Sequence, residues 1–154
     1  MPRAAEVIAA LQSRGQSVCT VESLTGGLLC AALTDIPGAS AVVRGGVVAY
    51  TVEAKRDVVG VDPQLLETHG AVSEAVARAL AERAREIFGA TWALSTTGVA
   101  GPAEQEGKPV GTVFLAVAGP CATVRRVTLV GDRAAIRKAS CDAALDLLNG
   151  LLAQ

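Results

Sequence analysis

Three short runs, SVCTV at 17–21, AVVRGGVVAYTV at 41–52 and TWALSTT at 91–97, each carry a hydroxyl in their last two residues and then give way to a turn or a helical pattern. Strands that alternate with helices are joined through crossovers, which sets them side by side in a largely parallel sheet with helices on its faces. The intervening patterns agree. Val7, Ile8 and Leu11 recur at helical spacing over 4–14, with Gly15 placed to end that helix. Residues 24–35 read as a helix stopped by Pro37-Gly38, and Gly45-Gly46 reads as a bend or close approach within the second strand. EAKRDVVG and VDPQLLETHG read as two short helices, the second capped by Asp62 with Pro63 in its first turn. Ser73 caps the helix EAVARALAERAREIF, which Gly89 closes. TVFLAVAG and ATVRRVTLV flank Gly119-Pro120-Cys121 as a hairpin, and Asp132 caps a last helix over 133–152. The expectation is one domain over 1–154, a three-layer α/β/α sandwich with a mixed, mostly parallel sheet of about five strands.

Composition narrows the function classes. The 154 residues carry 14 basic and 15 acidic side chains, a net charge of −1, which gives no electrostatic footprint for nucleic acid. No apolar run approaches the ~18 residues of a membrane span, and the N-terminus lacks a signal-type apolar region, so a cytoplasmic location is expected. One Trp, one Tyr and two Phe leave the core to aliphatic residues. Cys19, Cys30, Cys121 and Cys141 have no metal-ligand spacing, and His69 is the only histidine. No metal and no cofactor are expected. Cys19 and Cys30 lie in apolar surroundings and read as buried free thiols.

In open α/β sheets, ligands gather at the carboxyl ends of strands. Three such ends carry candidate chemistry: ESLTGG, YTVEAK and TTGVAGP. Ser23 is either a helix cap or a nucleophile. A nucleophilic serine needs a base. His69 sits at a helix end with no acidic partner motif nearby. Lys55 follows the second strand, the correct end of the sheet to meet Ser23. A lysine with pKa ~10.4 is neutral only about one time in 2,500 at pH 7. Half neutrality there requires a differential stabilisation of roughly 4.6 kcal/mol, which burial beside an apolar strand can supply. The Tyr50 hydroxyl is placed to relay a proton or hold Ser23; the alternatives are a core-edge tyrosine and a solvated lysine. TTGVAGP is a stiff loop whose N–H groups can face an anion, or an ordinary strand exit. Arg133 and Arg137, one turn apart on the last helix, either contact a phosphate or stay solvated.

ESLTGG, GGVVAYTVEAKRDVVGV, HGAVSEAVA, STTGVAGP, KPVGTVFLA and GDRAAIR resemble, in this order and spacing, the CinA C-terminal domain family, over about residues 5 to 150. The resemblance implies an α/β/α sandwich that hydrolyses the carboxamide of nicotinamide mononucleotide to nicotinate mononucleotide and ammonia. It implies a Ser/Lys mechanism without metal and a homo-oligomer whose partner is a small nucleotide, not nucleic acid or a membrane. Carried over, Ser23 matches the nucleophile and Lys55 the base, with Tyr50 beside them. Thr25, Gly26, Gly27, Thr96, Thr97, Gly98 and Gly101 match substrate-site positions, joined by Arg133 and Arg137, and the helix start after Ser23 is expected to supply N–H groups to an oxyanion or phosphate. The chain departs from the family pattern at Leu24, often Cys, at Val52, often Asn, and at Ala103 and Glu104, where glycine is frequent. The alternative of another class is a non-catalytic nucleotide- or partner-binding domain of the competence/damage-inducible type.

Overall fold

The structure, a computed structural model, describes residues 2–154. Its elements run α1 (Pro2–Arg14), β1 (Val18–Glu22), α2 (Leu28–Thr34), β2 (Val43–Val48), α3 (Val52–Ala54), α4 (Pro63–His69), α5 (Glu74–Phe88), β3 (Trp92–Gly98), β4 (Thr112–Ala118), β5 (Thr123–Thr128) and α6 (Arg133–Leu152). A 3-10 turn (Ala39–Ala41) precedes β2, and a π-helical turn (Lys55–Val59) continues α3.

The five strands lie in the order β2-β1-β3-β4-β5. Pairing is parallel across β2, β1 and β3 and antiparallel from β3 through β4 to β5, so β4 alone runs against the rest. Side-chain alternation along the strands separates two apolar layers. Val18, Leu94, Val113 and Leu115 pack with Ile8 and Leu11 of α1, Leu29 and Leu33 of α2, and Ile136 and Leu145 of α6. Cys19, Val21, Ala93 and Ala116 pack with Leu66 of α4 and Val76, Leu80 and Ala84 of α5. The three-layer sandwich follows from this division. Burial pushes the Cys19 and Cys141 thiols up to about 12, while Cys30 is half-buried and Cys121 exposed.

The expected caps hold the helices. Asp62 Oδ1 accepts from Gln64 N (2.9 Å), Ser73 Oγ from Val76 N (3.3 Å) and Asp132 Oδ1 from Ala135 N (2.9 Å). Gly89, at φ 60°, closes α5 in the left-handed conformation that an L side chain resists. Two boundaries differ from expectation. The helix expected from residue 24 begins at Leu28, because Gly26 and Gly27 hold φ of 58° and 104° and keep 24–27 as turns. The second strand is six residues long, and Gly46 within it makes the close approach: a Cβ there would collide with Thr20 and Cys30. In the parallel register Glu22 lies opposite Val48 and Thr96; β1 and β2 end level, β3 runs two residues further to Gly98, and the three release their following loops to one place.

Candidate active site

That place is a cavity of about 380 Å³. Ser23 and Leu24 enter it from the end of β1, Tyr50 and Thr51 from beyond β2, and Lys55 from the π-helical turn. Thr97, Gly98 and the 99–105 loop form a second wall, the Ala71-Val72 turn a third, and Arg133 at the start of α6 stands at the rim.

The buried lysine is fixed by its local chain. Thr51 Oγ1 caps α3 by accepting from Ala54 N (3.0 Å), and Lys55 N donates to Thr51 O (3.0 Å). The wider π turn then aims the Lys55 side chain inward, where the residue is 2% exposed. Its Nζ donates to Ser23 Oγ (2.9 Å) and to the Tyr50 carbonyl (3.4 Å). Both acceptors are neutral, and among the described residues no carboxylate forms an ion pair with this ammonium. Burial therefore pulls the Lys55 pKa down to about 8, against a smaller opposing pull from the Glu106 charge. At pH 7 an amine of that pKa is neutral in about one molecule in ten.

Ser23 sits in a backbone held from below. Its N–H donates to Thr96 O (3.0 Å) and approaches Thr96 Oγ1 (3.3 Å), while Thr25 Oγ1 and Thr96 Oγ1 share a hydrogen bond of 2.8 Å. Thr25 and Thr96 are thus buried supports beneath Ser23 and not part of the cavity wall. Gly26 and Gly27 also lie outside the wall; their left-handed turns let the chain reverse into α2. Arg137 is consumed by main-chain carbonyls, donating from Nε to Leu24 O (2.9 Å) and from an Nη to Thr25 O (3.2 Å). It braces the turn from outside. Of the residues expected at the substrate, Thr97, Gly98, Gly101 and Arg133 line the cavity together with Ser23, Lys55 and Tyr50.

Two further placements correct expectation. The Tyr50 hydroxyl accepts from Arg133 (2.8 Å), not from Ser23, and Arg133 also donates to Gly101 O (2.6 Å). Tyr50 touches the lysine through its main-chain carbonyl. The α2 start does not offer its N–H groups to a ligand: Leu29 N and Cys30 N donate to the Glu22 carboxylate (2.8 and 3.0 Å), and Leu28 N to Thr25 O (3.0 Å). His69, exposed at the end of α4, lies outside the cavity. Two acids escaped sequence reasoning. Glu22 is 1% exposed, and an acid ending the otherwise uncharged strand VCTVE was a usable signal. Glu106 bridges to a segment some 35 residues away, and no local pattern marks it. Among the described residues no group of three or more His, Cys, Asp or Glu side chains is placed to hold a metal ion, and no helix is long and apolar enough to cross a membrane.

An α/β sandwich with a buried lysine on a serine at the carboxyl ends of its parallel strands defines the class. The chain belongs to the CinA C-terminal domain family, whose model matches residues 2–152. It is 51% identical over 148 residues to a CinA-like protein of Frankia casuarinae, covering 96% of this chain and 34% of that protein. A CinA-like protein of Anaeromyxobacter sp. (strain Fw109-5) is 54% identical over 144 residues, 92% of this chain and 35% of its own length. The chain therefore spans about a third of the length of these curated relatives. Among solved structures it resembles competence damage-inducible protein A (ComA) of Klebsiella pneumoniae, with a TM-score of 0.97 and 36% identity over 99% of this chain and 96% of that one. It also resembles the competence/damage inducible protein CihA of Agrobacterium tumefaciens, with a TM-score of 0.94 and 39% identity over 99% and 94% of the two chains.

Proposed function

We propose that this domain is an amidohydrolase that converts nicotinamide mononucleotide to nicotinate mononucleotide and ammonia, with Ser23 as nucleophile and Lys55 as base. The observation that carries the proposal is the 2.9 Å contact between Ser23 Oγ and a buried Lys55 whose pKa is lowered to about 8. A lysine that only stabilised the fold would keep its charge in water or beside a carboxylate. This one is desolvated against a hydroxyl, the arrangement that yields a neutral amine near neutral pH.

The neutral Lys55 amine takes the Ser23 hydroxyl proton as Oγ attacks the carboxamide carbon. The tetrahedral intermediate collapses as Lys55 returns that proton to the departing nitrogen, which leaves as ammonia. An acyl ester on Ser23 remains. Water, deprotonated by the same amine, attacks this ester, and the returning proton frees Ser23 and the carboxylic acid product. The Arg133 guanidinium at the rim supplies a cation for the anionic end of a nucleotide.

The test is ammonia release from nicotinamide mononucleotide, with nicotinamide and glutamine as controls. Turnover is expected on the nucleotide and not on either control. A domain that binds the nucleotide and releases no ammonia would be a non-catalytic binding module, the reading that accords with the competence/damage-inducible names of its relatives.

A further inference from the structure

Glu106 is the one non-glycine residue with a positive φ (54°) among the described residues. An L residue is held there only when its surroundings demand it, and such positions gather at functional sites. The demand here is visible. The Glu106 carboxylate accepts from Ala71 N (3.0 Å) and Val72 N (3.0 Å), one N–H on each oxygen, and Lys108 Nζ lies 3.6 Å from it. The side chain is only 26% exposed although its loop is on the surface. The opposing turn is shaped to receive it: a Cβ at Gly70 would come within 2.5 Å of Glu106 Oε1. From the other side Thr97 Oγ1 donates to Ala71 O (2.7 Å). The two segments so joined are the walls of the cavity, Ala71 and Val72 on one side and the 99–105 loop on the other. The ionisable groups lining the cavity around Lys55 are Tyr50, Glu104 and Arg133, with Glu106 behind the wall.

We propose that Glu106 is a positioning residue for the reaction at Ser23: its carboxylate fastens the 70–72 turn to the 99–110 loop and so fixes the wall that presents the carboxamide to the serine. This rests on the amidohydrolase reading of the site. Glu106 touches no reacting atom. It acts through the Ala71-Val72 backbone and, as a fixed negative charge, through the field at Lys55.

Glu106→Gln and Glu106→Asp separate these two actions. In Glu106→Gln the amide offers one acceptor oxygen where the turn presents two donors. In Glu106→Asp the charge stays, but the side chain is too short to reach both N–H groups. Backbone hydrogen exchange at Ala71 and Val72 is expected to quicken by about tenfold or more in both variants. The KM for nicotinamide mononucleotide is expected to rise at least about fivefold in both, with kcat changed less. Only Glu106→Gln should move the rise of rate with pH to lower pH, because Glu106 opposes the loss of the Lys55 proton. Unchanged exchange at Ala71 and Val72, or a wild-type KM in both variants, overturns the proposal. A wild type that releases no ammonia defeats the amidohydrolase reading and this role with it. An active wild type beside unaffected variants defeats the role alone.

Discussion

In the proposed mechanism Lys55 is a site where chemistry and stability oppose each other. Its amine is ordinarily protonated to about pH 10.5, and burial brings that to about 8. A group whose folded-state pKa lies below its unfolded one binds fewer protons folded than unfolded between the two values. Stability is therefore fullest above about pH 10.5, falls as pH drops towards 8, and stays reduced at neutral pH. Lys55→Met keeps the volume and removes the buried charge. At pH 7 it should raise stability by about 2 kcal/mol, after the lost Ser23 hydrogen bond is set against the relieved desolvation. The gain should shrink towards pH 10. Thermal melts of wild type and variant from pH 6 to 10 check this, and a Lys55→Met protein less stable than wild type at pH 7 would show that the lysine is a structural anchor.

At the scale of elements, α2 shows how the site is held and where the sequence stops being informative. Its N-cap residue, Gly27, has no side chain to offer, so the Glu22 carboxylate reaches forward to Leu29 N and Cys30 N. A carboxylate at a helix start satisfies orphan donors and complements the helix dipole. Glu22→Gln leaves one of those buried N–H groups facing an amide NH₂. It should lower unfolding free energy by about 2 kcal/mol and shift the adjoining Ser23. Urea denaturation measures the first and turnover the second; wild-type stability in Glu22→Gln would mean that the cap is dispensable. The strands and the Asp62, Ser73 and Asp132 caps were legible because each depends on residues within a few positions. Ser23 and Lys55 were legible as types at strand ends on the same side of the sheet, and the resemblance implied the same pair. The contacts of Glu106 and Arg137 were not, because their partners lie 34 to 113 residues away and only the folded chain brings them together. The Tyr50 hydroxyl was misdirected for the same reason: its partner, Arg133, is 83 residues on.

For the whole molecule, the mixed sheet explains why the site is where it is. Three parallel strands with their carboxyl ends on the same side deliver Ser23, the Tyr50–Lys55 segment and the 97–105 wall to one edge, and α6 brings Arg133 across from the opposite layer. No single element contains the proposed chemistry, and the fold brings Ser23 and Lys55 into direct contact. Parts of one catalytic unit are non-additive. Steady-state ammonia release from nicotinamide mononucleotide by wild type, Ser23→Ala, Lys55→Ala and the double variant, beside calorimetric binding of the nucleotide, tests this most directly. Each single substitution should remove nearly all turnover, the double should be little worse than either, and binding should stay within a few fold. A Ser23→Ala protein that kept more than about a tenth of wild-type kcat, a barrier change under ~1.4 kcal/mol, would contradict it.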